Sequence, residues 1–245
     1  MLPGNDPGRL TTLHYIPGTC ALGVHIALEW AGAPYEARRL SQADLHKPDY
    51  LALNPAGVVP TLIQDGAVMT EASAILLALA RQAPALGPGP DAGEEDRFRF
   101  ERLIIYLGGT LHPHFWPWFV PQRYGAAREP DQANVKQAAE ALIAKALTWL
   151  DGELGDGQFF LGARASAVDA YFFPMGRWGY GLKAPTSDYP NLHGLMQRLA
   201  QDPGVIAPWP PRVCRLSFRI DKNRMTPCTP RRTTSPTTPV PPPSR

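Results

Sequence analysis

The 245-residue chain predicts an α/β N-terminal module, ordered β-α-β then β-β-α, followed by an all-α helical region. Three observations carry that expectation. Strand-like and helix-like apolar patterns alternate only as far as residue 83. Residues 84–93 hold three prolines and three glycines, the composition of a linker. From residue 94 onward strand signals vanish while helical periodicity continues to about residue 207.

Residues 1–9 are rich in Pro, Gly, Asn and Asp, lack periodicity, and read as a disordered leader. Residues 10–83 form the first module. Leu10 to Tyr15 suits a strand, and from Ala21 the apolar Leu22, Ile26, Ala27 and Trp30 fall at helical spacing until Gly32. Tyr35 to Leu40 is the next strand, parallel to the first through a right-handed crossover. Between them, Pro17-Gly18-Thr19-Cys20 sets a thiol at a helix start. Unpaired N–H groups and the partial positive charge there favour an anionic sulfur, so Cys20 is a candidate reactive group below its free pKa of about 8.5.

A polar loop from Leu40 to Pro60, with a short helical piece from Asp49 to Leu53, is a plausible ligand wall. Thr61 to Ile63 and Ala67 to Met69 flank Asp65-Gly66, a strong hairpin signal. Thr70 is expected to cap the following helix, its hydroxyl accepting from the Ser73 N–H with Glu71 in the first turn and Ile75, Leu76 and Leu79 as the buried stripe. In the helical region, Phe98, Arg102, Ile105 and Gly109 mark one side of a helix from Glu94, expected to break near Pro113 and Pro117. A helix from Asp131 to Leu150 should carry Leu142, Ala146, Trp149 and Leu150 on one face. Ser166 and Asp169 read as a capping box opening a helix to about Tyr180, and residues 190–200 form another.

Residues 208–245 contain ten prolines and eight Arg or Lys against one Asp, and read as a disordered tail. The net charge of +2 therefore hides an acidic body, which excludes a nucleic-acid or lipid surface there. Three cysteines, Cys20, Cys214 and Cys228, do not make a disulfide framework or a metal site, and a reducing cytoplasm suits them. Neither a secretion signal nor a membrane span is legible.

The ordered motifs Tyr15-x-Pro17-Gly18-x-Cys20 with His25-Ile26, Asn54-Pro55-x-Gly57-x-Val59-Pro60, Thr70-Glu71-x-x-Ala74-Ile75, Leu111-His112, Asp169-Ala170-Tyr171 and Arg177-Trp178 resemble the bacterial glutathione S-transferases, most of all the beta class. The resemblance spans roughly residues 10–206. It implies a thioredoxin-like N-terminal domain before an all-helical one, glutathione as co-substrate, a homodimer and a role in detoxification.

For individual residues, the resemblance implies that Cys20 faces the glutathione sulfur, as a partner of the thiolate or as a mixed disulfide. Val59-Pro60 corresponds to a cis-proline turn offering backbone to the cysteinyl unit. Glu71 would bind the γ-glutamyl amine, and the N–H groups of Ala72 and Ser73 its carboxylate. Ala72 stands where many members have serine, a loss that the Ser73 hydroxyl would partly replace. His112 would hydrogen bond glutathione or a leaving group; the family's asparagine and lysine nearby are matched by Ile105 and Pro113. Phe115, Trp116, Trp118 and Phe119, with Trp178 and Tyr180, suit a hydrophobic acceptor pocket, a dimer surface or core. Two other classes stay open: a non-catalytic binding or regulatory protein, and a glutathione-dependent dehalogenase, isomerase or thiol-disulfide reductase on the same scaffold.

Overall fold

Leu13 and Leu62, both fully buried, oppose each other at the centre of a four-stranded sheet. The sheet is built from β1 (Thr11–Tyr15), β2 (Glu36–Arg39), β3 (Thr61–Gln64) and β4 (Ala67–Met69), in the spatial order β2-β1-β3-β4. β1 and β2 are parallel, joined through helix α1 (Ala21–Ala31), whereas β3 runs antiparallel to both β1 and β4. At the hairpin both Asp65 and Gly66 have positive φ, 51° and 80°, the two-residue turn whose twist suits paired strands. The computed structural model describes residues 11–125 and 127–208; the leader and nearly all of the tail expected from the sequence lie outside them.

Helix α1 is buried from Ala21 to Leu28, because it lies between the sheet-bearing module and the helices that follow. It approaches one of those helices closely at Gly23, where a Cβ would stand 2.9 Å from the Ala170 carbonyl oxygen and from Tyr171 Cα. A short helix, α2 (Pro48–Leu53), precedes β3, and α3 (Ala72–Gln82) packs beside α1 with Ile75, Leu76 and Leu79 inward. Thr70 does not cap α3. The cap is Glu71, at φ 64° and ψ 110°, so the helix begins one residue later than the hydroxyl spacing implied and Glu71 stands outside its first turn.

The helical region comprises α4 (Glu94–Tyr106), α5 (His112–Phe119), α6 (Glu129–Leu154), α7 (Ala167–Gly179), α8 (Pro190–Leu199) and the short α9 (Pro203–Ile206). The expected breaks at Pro113 and Pro117 do not occur. A π-helical turn, Leu107–Leu111, joins α4 to α5, with the His112 N–H donating to the Leu107 carbonyl. That widened turn accommodates the ring and missing donor of Pro113, and Pro117 sits inside α5, which ends only at Val120. On α4 the side marked by Phe98 and Ile105 is the exposed one, 66% and 55% accessible, while Phe100, Leu103 and Ile104 face the core.

The buried stripe of α6 is Ala139, Ile143, Ala146, Leu147, Leu150 and Leu154. Leu142, expected on it, is 47% exposed, and Trp149 is half-buried; the stripe is rotated from the predicted face. The capping box of α7 is present. The Asp169 carboxylate accepts from the Ser166 N–H and hydroxyl, both at 2.8 Å, and from the Phe160 N–H at 3.0 Å. Fully buried, it anchors the loop before α7 as well as the helix itself. Among the described residues no helix is long and apolar enough to cross a membrane, and no cluster of potential metal ligands occurs.

Candidate functional site

Three segments converge on the start of α1. The first is the turn Ile16-Pro17-Gly18-Thr19, in which the Thr19 hydroxyl donates to the Ile16 carbonyl at 2.7 Å and the Ala21 N–H donates back to that hydroxyl at 3.3 Å. Cys20 follows as the residue capping α1, only 7% exposed. Its Sγ donates to the Val59 carbonyl at 3.8 Å, tying the helix start to the second segment, the turn at the cis Val59-Pro60 bond.

Cys20 is not the depressed thiol that its helix-start position suggested. Its own N–H and that of Ala21 do favour the anion, but burial outweighs them, and the nearby Glu71 carboxylate adds to it, so the thiol is pushed up to about 12. In the free protein Cys20 is therefore protonated at neutral pH and acts as an S–H donor.

The turn at Val59 is held by two side chains, Asn54 of the Asn54-Pro55 motif and Tyr50, which the sequence did not single out. The Tyr50 hydroxyl donates to the Val58 carbonyl at 2.6 Å, and Asn54 Nδ2 donates to the same oxygen at 2.8 Å and to Thr61 Oγ1 at 3.1 Å. Asn54 is 2% exposed, and its Oδ1 accepts from the Ala56 N–H, so both ends of its amide are satisfied. The buried tyrosine and the Asn-Pro pair four residues later were the available signal. In the loop before this turn, Lys47 is paired with Asp44 at 2.6 Å.

The third segment is the start of α3. Glu71 is exposed, in a backbone conformation rare for a residue with a side chain, and its carboxylate makes no bond to its own helix. It does not serve as a side-chain cap, and the first N–H groups of α3, including those of Ala72 and Ser73, lack intrahelical partners as at any helix start. Ala72 is buried. The Ser73 hydroxyl does not replace the missing serine, since it donates to the Ile104 carbonyl at 3.4 Å and bonds the Tyr171 hydroxyl. Both partners belong to the helical region. Gly108 of the π-helical turn is pressed onto this point: a Cβ there would lie 2.1 Å from Ser73 Oγ and 3.1 Å from the Tyr171 oxygen.

His112 starts α5 among aromatic rings, 5.5 Å from Trp178 and 6.0 Å from Trp116, and burial pulls it down to about 4, so it is a neutral imidazole at neutral pH. Trp178 also meets Phe115 and Phe119, each at 5.3 Å. Phe115 is core, whereas Trp116 is 37% exposed with the Arg123 guanidinium over its ring. Pro113 is exposed, and Ile105 lines an open groove with Phe98, Arg102, Tyr106 and Trp149. The arrangement offers an S–H donor, a free carboxylate, helix-start amides and a neutral imidazole beside aromatic walls.

Comparisons with known proteins agree on one family. Residues 18–82 match the family model described as glutathione S-transferase, N-terminal domain, and residues 110–203 match that of the glutathione S-transferase C-terminal domain. The chain is 33% identical over 195 residues to a glutathione S-transferase of Xanthomonas campestris, covering 80% of this chain and 95% of that one. Among solved structures, a sphingomonad glutathione S-transferase complexed with glutathione is 35% identical with a TM-score of 0.69, covering 80% of this chain and 96% of that chain. A bacterial beta class glutathione S-transferase of Sphingomonas chungbukensis is 36% identical with the same TM-score of 0.69 and the same coverage, 80% and 96%.

Proposed function

Because the chain belongs to the glutathione S-transferase family, we propose that it is a glutathione-dependent transferase holding the ligand's sulfur at Cys20. The observation that carries this reading is the convergence of Cys20, the Val59 turn and the Glu71 cap on one point. The residues present fit the γ-glutamyl and cysteinyl parts of glutathione. The Glu71 carboxylate, unused by its own helix, suits the γ-glutamyl ammonium, and the N–H groups of Ala72 and Ser73 suit the adjacent carboxylate. Val59 offers backbone to the cysteinyl unit as an added strand would. The sulfur then comes to Cys20.

A protonated Cys20 favours one of the two roles the sequence left open. Its S–H can turn from the Val59 carbonyl to the glutathione sulfur and stabilise the thiolate by a hydrogen bond, so the bound sulfur is the nucleophile. That thiolate attacks a small electrophile held against His112 and Trp178; the new S–C bond forms as the leaving group departs with its electron pair. Neutral His112 can donate to that leaving group or take up a proton. With a disulfide substrate the same geometry serves thiol exchange, one sulfur being displaced as another attacks.

The exposed apolar side of α4, with Phe98 and Ile105 lining a groove of about 540 Å³, suits a homodimer contact. A reducing cytoplasm would keep Cys20 free, and conjugation of foreign electrophiles is the fitting role. The test is retention of the full chain on immobilised glutathione at neutral pH, with turnover of an aryl halide. Retention without turnover of halides, isomerisable substrates or disulfides would mean a binding protein. Absence of both retention and turnover would end the reading.

A further inference from the structure

Trp178 lies on α7, 160 positions from the turn that precedes Cys20, yet its indole N–H donates to the Gly18 carbonyl at 2.9 Å. The same ring packs 5.5 Å from His112, at a 33° tilt, and edge-on to Phe115 and Phe119. The bonds that Thr19 makes with Ile16 and Ala21 fix the shape of the turn locally but do not tie it to the helical region. Trp178 does tie it. Its side chain touches both sides of the candidate site: the loop that ends in the thiol, and the imidazole on another helix.

We propose that Trp178 is a positioning residue, which sets the Cys20 turn against His112 so that the glutathione sulfur and the acceptor meet in register. The proposal rests on the transferase reading for its role in catalysis, but the geometry it depends on is read without glutathione. The Trp178 N–H bonds Gly18, not Glu71 or the Val59 turn, so its loss leaves the expected glutathione contacts in place. What changes is the freedom of the turn that leads into Cys20 and the distance from that turn to His112.

The test is Trp178→Phe, which keeps an aromatic ring among Phe115, Phe119 and His112 but has no donor for Gly18. Cys20 is alkylated with iodoacetamide, its sulfur displacing iodide, and the rate, read on the Cys20 peptide apart from those of Cys214 and Cys228, is compared with the parent chain at the same pH. Alkylation is expected to rise about tenfold as the turn loosens, while Trp118→Phe, whose indole bonds Glu140 at 3.1 Å, leaves it unchanged. In turnover, Trp178→Phe should lower kcat about tenfold with the KM for glutathione changed by less than about twofold. A folded variant with parental alkylation and parental kcat overturns the proposal. If the variant does not fold, the parent chain still decides: alkylating Cys20 must shift the indole N–H resonance of a selectively labelled Trp178 and not that of Trp118, and an unmoved Trp178 signal overturns it. A parent chain that fails to turn over glutathione defeats the transferase reading, while the alkylation and resonance measurements still judge Trp178.

Discussion

The indole N–H of Trp30 donates to the Asp202 carboxylate at 2.8 Å, joining the end of α1 to the start of α9 across 172 positions of the chain. The same carboxylate accepts from the Gly204 N–H at 2.8 Å and so caps α9. Asp202→Ala removes both bonds and should destabilise the protein by about 1–3 kcal/mol, read as a lower midpoint in urea with an unchanged slope. An unaltered midpoint would show that the contact adds nothing.

At Cys20 the hydroxyl and methyl replacements are expected to part company. Cys20→Ser keeps a donor at the helix start and should retain glutathione turnover within about tenfold, whereas Cys20→Ala should lose about a hundredfold. Neither variant can form a mixed disulfide at position 20, while the thiols of Cys214 and Cys228 remain in both. Initial-rate assays of both variants with glutathione check the expected turnover, and a Cys20→Ala chain that keeps parental turnover would remove the assigned role.

His112 gives a pH prediction with a defined sign. Its pKa falls from the ordinary 6.5 to about 4 on folding, so the folded protein binds fewer protons than the unfolded chain in that window. The stability it contributes is present above about 6.5 and is lost as the pH falls toward 4. His14, His25 and His114 are lowered too, also chiefly by burial, so they share the trend. His112→Phe should flatten the stability curve between pH 6.5 and 4, and ring titration by NMR should place His112 near 4. A His112 midpoint above 6 would contradict its burial among the rings.

Gly108→Ala tests the seam between the two parts of the molecule. The added methyl would fall 2.1 Å from Ser73 Oγ, so the Ser73 hydroxyl must rotate out of its bonds to Ile104 and Tyr171 or one of the two flanking turns must shift. A cost of about 1–3 kcal/mol is expected, together with a raised KM for glutathione because the α3 amides move. Parental KM in a destabilised variant would separate the seam from the ligand site.

Legibility followed the distance over which each feature is determined. Ser166 and Asp169 form their capping box within four residues, and Asp65-Gly66 closes its hairpin locally, so both could be read directly. The contact of Trp178 with Gly18, 160 positions apart, depends on where separate segments come to rest, and no local pattern reports it, whereas Asn54 and Tyr50 reach Val58 within eight residues. Pro113 was misread for a related reason. A proline predicts a stop only if the preceding turn is α-helical, and here that turn is wider. Cys20 shows the same limit in electrostatics: its position at a helix start is visible in the sequence, but the burial that reverses its pKa shift is set by the packing of the Val59 turn over it.

The π-helical turn Leu107–Leu111 also sets an angular phase. Each residue of a regular α-helix advances about 100° around the axis, so closing five residues where α-helix would close four shifts everything after it by one position. Deleting one residue between Leu107 and Leu111 would let α4 run into α5 as ordinary helix and swing His112 and the aromatic face of α5 by about that angle. The orientation of the imidazole is thus coupled to chain length at this point, and here a one-residue indel acts as a rotation of the acceptor wall.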